Sequence, residues 1–193
     1  MNLKDLFISK TRVKLLQTIL SNPKEIYYIR ELVRKVGEQI NAVRAELSRM
    51  EKVGMVRSEV RANRKYYGFR KDYPFYDELV RLVVKSTGLG GNIIKEKARL
   101  GKIRFAMLTG GFTQKNSVSA NDVDLLVVGS VVLPALSQIV QEAESQVGRE
   151  INYTVMSEEE FAFRKNRRDP FVLDILGKPR VMLIGDEEDF LKT

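Results

Sequence analysis

The chain of 193 residues contains no cysteine and no histidine. Those two absences exclude disulfides, thiolate nucleophiles, Cys/His zinc sites, histidine metal ligands and every histidine general base. Any chemistry has to run on carboxylates, hydroxyls, lysine, arginine, tyrosine or backbone amides. Long apolar runs are also missing. The stretch 127–136 is interrupted by Gly129, Ser130 and Pro134, and no run approaches the ~20 residues a bilayer requires. The start, Met1-Asn2-Leu3-Lys4-Asp5, has no apolar signal core, so a cytoplasmic chain with no membrane partner is expected.

What is present is an ordinary globular mixture, 44% hydrophobic and 30% charged, at a length that fits one large domain or two small ones. The net charge of +8 is unevenly spread. Residues 1–100 carry 22 Lys/Arg and 11 Asp/Glu, a net of +11, whereas residues 101–193 carry 11 and 14, a net of −3. A basic front and a mildly acidic back predict two modules, the first of which meets a polyanion.

In the first module Val13, Leu16, Ile19 and Leu20 recur at helical spacing after a capping Ser9, and Ser21-Asn22-Pro23 stops the helix. A short helix follows with Ile29, Leu32, Val33 and Val36 inward, ended by Gly37. The third helix spans residues 39–53 and stops at Gly54. Its inner stripe is Ile40, Val43, Leu47 and Met50, and its outer stripe is Asn41, Arg44, Ala45 and Ser48. A helix that needs only solubility tends to carry Glu/Lys pairs on its outer face. Short polar side chains around one arginine suit close approach to base edges in a major groove. Two β-rich runs, 55–60 and 64–69, are joined by Arg61-Ala62-Asn63 into a hairpin with Arg61, Arg64 and Lys65 at its tip.

This order, with Ser9-Lys10-Thr11-Arg12, Tyr28-Ile29-Arg30-Glu31-Leu32, Asn41-Ala42-Val43-Arg44-Ala45-Glu46-Leu47 and Gly54-Met55-Val56, resembles the ArsR-like winged helix-turn-helix regulators over roughly residues 5–70. The Cys and His ligands of metal-sensing members are missing, so metal sensing is not implied. The resemblance implies double-stranded DNA as partner, with Gln39, Asn41, Arg44 and Ser48 facing the major groove. Arg61, Arg64 and Lys65 would hold phosphates or the minor groove, and Arg30 the backbone. Arg49 and Arg57 are read as solvating an outer face.

Asp72-Tyr73-Pro74 breaks the hairpin. Phe75, Leu79, Val80, Leu82 and Val83 then predict an amphipathic connector helix, a candidate dimer seam, since a winged-helix module usually reads two half-sites. Gly88-Leu89-Gly90-Gly91 follows a helical run rather than a strand, which argues for a linker rather than a dinucleotide loop. A second, basic helix around Ile93, Ile94 and Leu100 is expected after it.

The second module predicts a strand over 103–108 running into Gly110-Gly111, a buried strand opened by Asp122-Val123-Asp124, a helix over 132–147, a strand over 150–156 and a last strand over 180–185. Ser157 and Glu160 have capping-box spacing, so the acidic run 158–160 reads as a helix start. Period two places Asp122 and Asp124 on one face of their strand. Paired carboxylates beside a glycine turn can hold Mg²⁺ against a nucleoside triphosphate. With Gly110 at the matching distance, Asp122-Val123-Asp124-Leu125-Leu126-Val127 resembles the nucleotidyltransferase fold of the polymerase β superfamily, over roughly residues 93–185. The pattern departs at Gly111 (a serine in the family), Lys115 (glycine), Asn121 (serine) and Asn152, where the third carboxylate belongs. Glu150 lies one pleat away.

The expected class is therefore α+β. A winged helix-turn-helix domain occupies residues 1–72, a connector helix and linker 73–91, and a nucleotidyltransferase-like α/β domain with a mixed sheet 92–193. The function expected is that of a homodimeric DNA-binding transcriptional regulator whose second domain lacks the acid that two-metal transfer needs. That reading requires no cofactor, and Asp122 and Asp124 are then inherited sheet-end carboxylates. A second reading has the Gly110 and Gly111 amides holding a nucleotide or phosphate without turnover, or the domain binding a partner protein. A third is an active nucleotidyltransferase, antitoxin-like or protein-modifying, with Mg²⁺ on Asp122 and Asp124 and the winged helix as targeting device.

Overall fold

The computed structural model describes residues 7–109 and 123–192. They fall into two compact units that divide between Ser86 and Thr87. Among the described residues no helix is long and apolar enough to cross a membrane.

In the first unit, helices α1 (Lys10–Leu20), α2 (Ile29–Val36) and α3 (Ile40–Lys52) precede strands β2 (Val56–Arg61) and β3 (Arg64–Phe69) and helix α4 (Tyr76–Ser86). A two-residue strand β1 (Tyr27–Tyr28) separates α1 from α2. All pairings are antiparallel, in the order β1-β3-β2, which is the arrangement of a winged helix-turn-helix. The helix boundaries follow from local chemistry. The Ser9 hydroxyl accepts the Arg12 N–H at 3.1 Å, satisfying an otherwise orphaned amide. Gly37 closes α2 in the left-handed conformation at φ 63°, where a glycine has no Cβ to clash. Val13, Leu16, Ile19, Leu32, Val43, Leu47, Met50, Val56, Tyr67 and Phe69 form one core, and burial of each contributes about 1.5–3 kcal/mol.

The hairpin turn is tighter than its sequence implies. Arg61 and Arg64 pair directly, leaving only Ala62 and Asn63 in the loop, at φ 44° and 60°. Two positive φ values make a type I′ turn, whose twist matches that of the strands it joins.

The expected connector divides differently. Helix α4 belongs to the first unit, because Leu79 (7% exposed) and Val83 (2%) complete that unit's core and Val80 and Leu82 pack on it. Leu79 and Val83 of its apolar face are spent on that core, whereas Val80, Leu82 and Val84 remain partly exposed. Gly88-Leu89-Gly90-Gly91 is no linker either. It forms the first turn of α5 (Gly88–Lys95) in the second unit, where Leu89 and Ile93, four residues apart, are buried. Glycines disfavour a helix by about 1 kcal/mol each. Here packing of α5 on a neighbouring helix, α6 (Leu133–Val147), and on strand β7 (Arg180–Ile184) outweighs propensity.

The second unit continues with a 3₁₀ turn (Lys97–Arg99), β4 (Gly101–Thr109), β5 (Leu125–Val131), α6, β6 (Tyr153–Met156), α7 (Glu158–Asn166), α8 (Pro170–Gly177), β7 and α9 (Glu187–Lys192). The sheet is mixed, in the order β6-β5-β4-β7. β5 and β6 are parallel through the α6 crossover, and the other pairs are antiparallel. Phe105, Met107, Leu126 and Val128 join Phe161, Val172, Ile175 and Phe190 of α7, α8 and α9 in one core. The alternate residues Ala106, Leu108, Leu125 and Val127 are buried as well, so both faces of the sheet are covered. β6 begins later than expected because the Ile151 N–H donates to the Glu144 carboxylate of α6 (2.8 Å) instead of joining the ladder. The Ser157 hydroxyl accepts the Glu160 N–H at 3.1 Å, so the acidic run opens α7 as its spacing predicts.

Candidate nucleic-acid interface and the acidic site of the second unit

Helix α3 carries two faces. Val43, Leu47 and Met50 are fully buried, whereas Asn41, Arg44, Ala45 and Ser48 are exposed, as is Gln39 at the N-cap. The hairpin lies beside this face. Between them is a cleft of about 540 Å³ lined by Tyr28, Ile29, Arg30, Arg44, Asn63, Arg64, Lys65 and Tyr67. Four of those side chains are cations and none is a carboxylate.

The cleft is stiffened from behind. The Arg64 guanidinium lies over the Tyr28 ring, 5.6 Å from its centre. The Tyr28 hydroxyl accepts a hydrogen bond from Arg34 Nη2 at 3.2 Å, and Tyr66 meets Tyr28 edge-on. Lys65 Nζ donates to Glu51 Oε2 of α3 at 3.0 Å, and the Ser58 hydroxyl donates to the other Glu51 oxygen. The Ser58 bond and then the Lys65 bond lower the Glu51 carboxyl pKa, and the same pairing raises that of Lys65. Arg61 pairs with Glu59 at 2.6 Å.

The residues singled out in the sequence are thus of two kinds. Arg30, Arg44 and Arg64 line the cleft without an ion pair among the described residues. Lys65 ties the hairpin to α3, and Arg61 is neutralised on its own strand. Gln39, Asn41 and Ser48 share the exposed face of α3 but do not line the cleft.

Sequence reasoning missed the cluster that holds α3 in place. Glu46 is only 2% exposed. It accepts hydrogen bonds from Arg12 Nε (2.5 Å), the Ser9 hydroxyl (3.0 Å) and Arg49 Nη1 (3.2 Å). Burial alone would raise its pKa, but the Arg12 and Ser9 bonds and the Arg12 charge outweigh that and lower it. Ser9, Arg12 and Glu46 all lie in the segments that carry the regulator resemblance. Their contribution is to join the start of α1 to the middle of α3. The signal in the sequence was a glutamate placed on the apolar stripe of a helix.

In the second unit, Gly110, Gly111 and Asp122 lie outside the described residues. Asp124 is 0% exposed, and both its oxygens are engaged. Arg149 Nη1 donates to Oδ2 at 2.8 Å and Nη2 to Oδ1 at 2.9 Å, a two-pronged fork, and the Asn152 N–H adds a bond at 3.2 Å. Arg149 Nη1 also donates to the Glu150 carbonyl at 2.8 Å. The fork raises the Arg149 pKa. A metal ion would need the lone pairs that the guanidinium occupies, and Asn152 brings no charge. Glu150 is exposed, and among the described residues no group of three or more Asp, Glu, His or Cys is placed to hold a cation. The described part of this site does not fit Mg²⁺.

No family model and no curated protein matches the chain. Among solved structures, reduced HlyU from Vibrio cholerae N16961 is similar to part of it. The identity is 20%, with 42% of this chain and 83% of that one covered and a TM-score of 0.33.

Proposed function

We propose that the chain is a DNA-binding regulator whose first unit reads duplex DNA with the outer face of α3, while its second unit carries no two-metal chemistry. The observation that carries the reading is the polar, acid-free cleft between α3 and the hairpin, next to Gln39, Asn41 and Ser48 on an exposed helix face. Arg44 lies on that face at the cleft, where an arginine can take the O6 and N7 edge of a guanine. Arg30 and Arg64 flank it and suit backbone phosphates. The Asp124–Arg149 fork supports the second half of the reading, because the aspartate that would hold a cation already has one. A second copy of the chain is part of the proposal, since two heads reading two half-sites give the affinity one head lacks.

The test is selection of preferred sites from a random duplex pool, followed by binding at stated salt. Arg44→Ala weakens the preferred site by about 1–3 kcal/mol and flattens preference at one position. Arg64→Ala weakens all sequences alike and lowers the salt slope by about 1. Equal binding by the wild type and both variants refutes the reading.

A further inference from the structure

The hairpin carries a second basic site, at the end opposite its turn. Register places Arg57 across from Gly68, and Arg61 across from Arg64. Period two therefore puts Arg57, Glu59 and Arg61 of β2 on the same sheet face as Arg64, Tyr66 and Gly68 of β3. The other face, with Val56, Tyr67 and Phe69, is buried in the core. The outward face leads from the cleft at the turn to a second cleft of about 730 Å³ at the hairpin base, lined by Pro23, Lys24, Arg57, Phe69, Arg70, Lys71 and Asp72. Four of these are cations and one is an acid.

Arg57 and Lys71 are exposed and have no ion pair among the described residues. Asp72 is occupied by Arg70, accepting from its Nε at 3.1 Å and its Nη2 at 2.5 Å. Among the outward residues of β2 and β3, the acid Glu59 is matched by Arg61. Gly68, at the base of this face, is buried under Ile26, whose side chain a Cβ there would meet at 3.1 Å. Arg64 and Gly68 are four residues apart along β3, about 13 Å, or roughly four base-pair steps of a duplex.

We propose that this base cleft is a second phosphate-binding site, which extends the path of a bound duplex from α3 along the outer face of the hairpin and grips the phosphodiester backbone through Arg57 and Lys71. The proposal rests on the reading of the first unit as a DNA-binding head. It assigns to Arg57 a role that solvation of a surface does not require.

The experiment uses the full chain and a labelled mixed-sequence duplex of about 30 base pairs, titrated between about 50 and 200 mM salt. Removing one cation from a phosphate lowers the slope of log K against log salt by about 0.9. Arg57→Ala combined with Lys71→Ala lowers the slope by about 1.8 and weakens every sequence on the order of tenfold, without changing which sequence is preferred. Asp72→Asn frees Arg70, so it steepens the slope and tightens binding, a gain that misfolding cannot produce. A 30-nucleotide single strand and inorganic polyphosphate serve as competitors. Displacement of the duplex from the wild type but not from the double variant by polyphosphate at low concentration overturns the assignment to duplex backbone. A double variant and Asp72→Asn that both keep the wild-type slope, while Arg44→Ala still weakens binding, refute the second site alone. A wild type that binds no duplex refutes both this site and the reading on which it rests.

Discussion

Replacing Arg149 with alanine tests how the second unit uses its buried aspartate. Asp124 is inaccessible to solvent and held by two charge-assisted bonds of 2.8 and 2.9 Å. After Arg149→Ala its only remaining bond among those described is the Asn152 N–H at 3.2 Å. Removing one partner of a buried pair costs about 3–5 kcal/mol, because the other charge stays buried without compensation. The Arg149 side chain is 32% exposed, so water enters the vacated space and the loss lies near the lower end, about 3 kcal/mol. At about 4–8 °C per kcal/mol for a module of this size, the melting temperature of the second unit falls by more than about 10 °C. Asp124→Asn keeps the shape and one acceptor oxygen, and it leaves a guanidinium that water can reach, so it costs about 1–2 kcal/mol. Calorimetry on the full chain measures both. If Arg149→Ala melts with the wild type, the fork is not structural. If millimolar Mg²⁺ raises the wild-type melting point through Asp124, the cation site is intact and the inactive reading is wrong.

Three further outcomes follow from the fold. Glu46 is ionised in the folded state at a pKa below its ordinary value, so its stabilisation is complete above about pH 5 and is lost as pH falls through the lowered folded pKa. Denaturation from pH 7 to 3 therefore shows an acid-side loss in the first unit that Glu46→Gln removes, with a destabilisation of about 2–3 kcal/mol at pH 7. Ala62 sits at φ 44° in the hairpin turn, a conformation that costs a non-glycine residue about 1–2 kcal/mol. Ala62→Gly thus stabilises the first unit by about 0.5–1 kcal/mol net of the unfolded-state entropy, read as a raised urea midpoint. Gly129 has φ 139°, and a Cβ there would collide with the Lys102 carbonyl beside the irregularity in the β4–β5 register. Gly129→Ala lowers the melting point of the second unit and leaves that of the first unchanged.

Much of the first unit is legible in its sequence because its signals are local. Val13, Leu16 and Ile19 keep helical spacing, Ser9 and Gly37 mark ends by their own chemistry, and the exposed stripe Asn41-Arg44-Ser48 stands out because it lacks the charge pairs of an ordinary surface. The hairpin is legible for the same reason, although Ala62 at positive φ is not, since alanine gives no turn signal. What stays hidden depends on residues far apart in sequence. Glu46 meets Arg12 across 34 positions and Asp124 meets Arg149 across 25, and no local pattern announces either pair. Gly88-Leu89-Gly90-Gly91 reads as a linker because propensity favours one, whereas burial of Leu89 and Ile93 decides for a helix. Helix α8 escapes notice although Asp169 and Pro170 form an N-cap and first position, because the stretch before it is charged and without period. Asp124 resembles a metal ligand in sequence, where Arg149 cannot be seen.

The most direct measurement of the central claim is the binding of Arg44→Ala to a selected duplex and to a scrambled one, at the same salt. The account expects a loss of about 1–3 kcal/mol on the selected duplex and a much smaller loss on the scrambled one, because an arginine at a base edge carries sequence information. Equal losses on the two duplexes would make Arg44 a phosphate contact. No loss on either would mean that the outer face of α3 does not meet DNA.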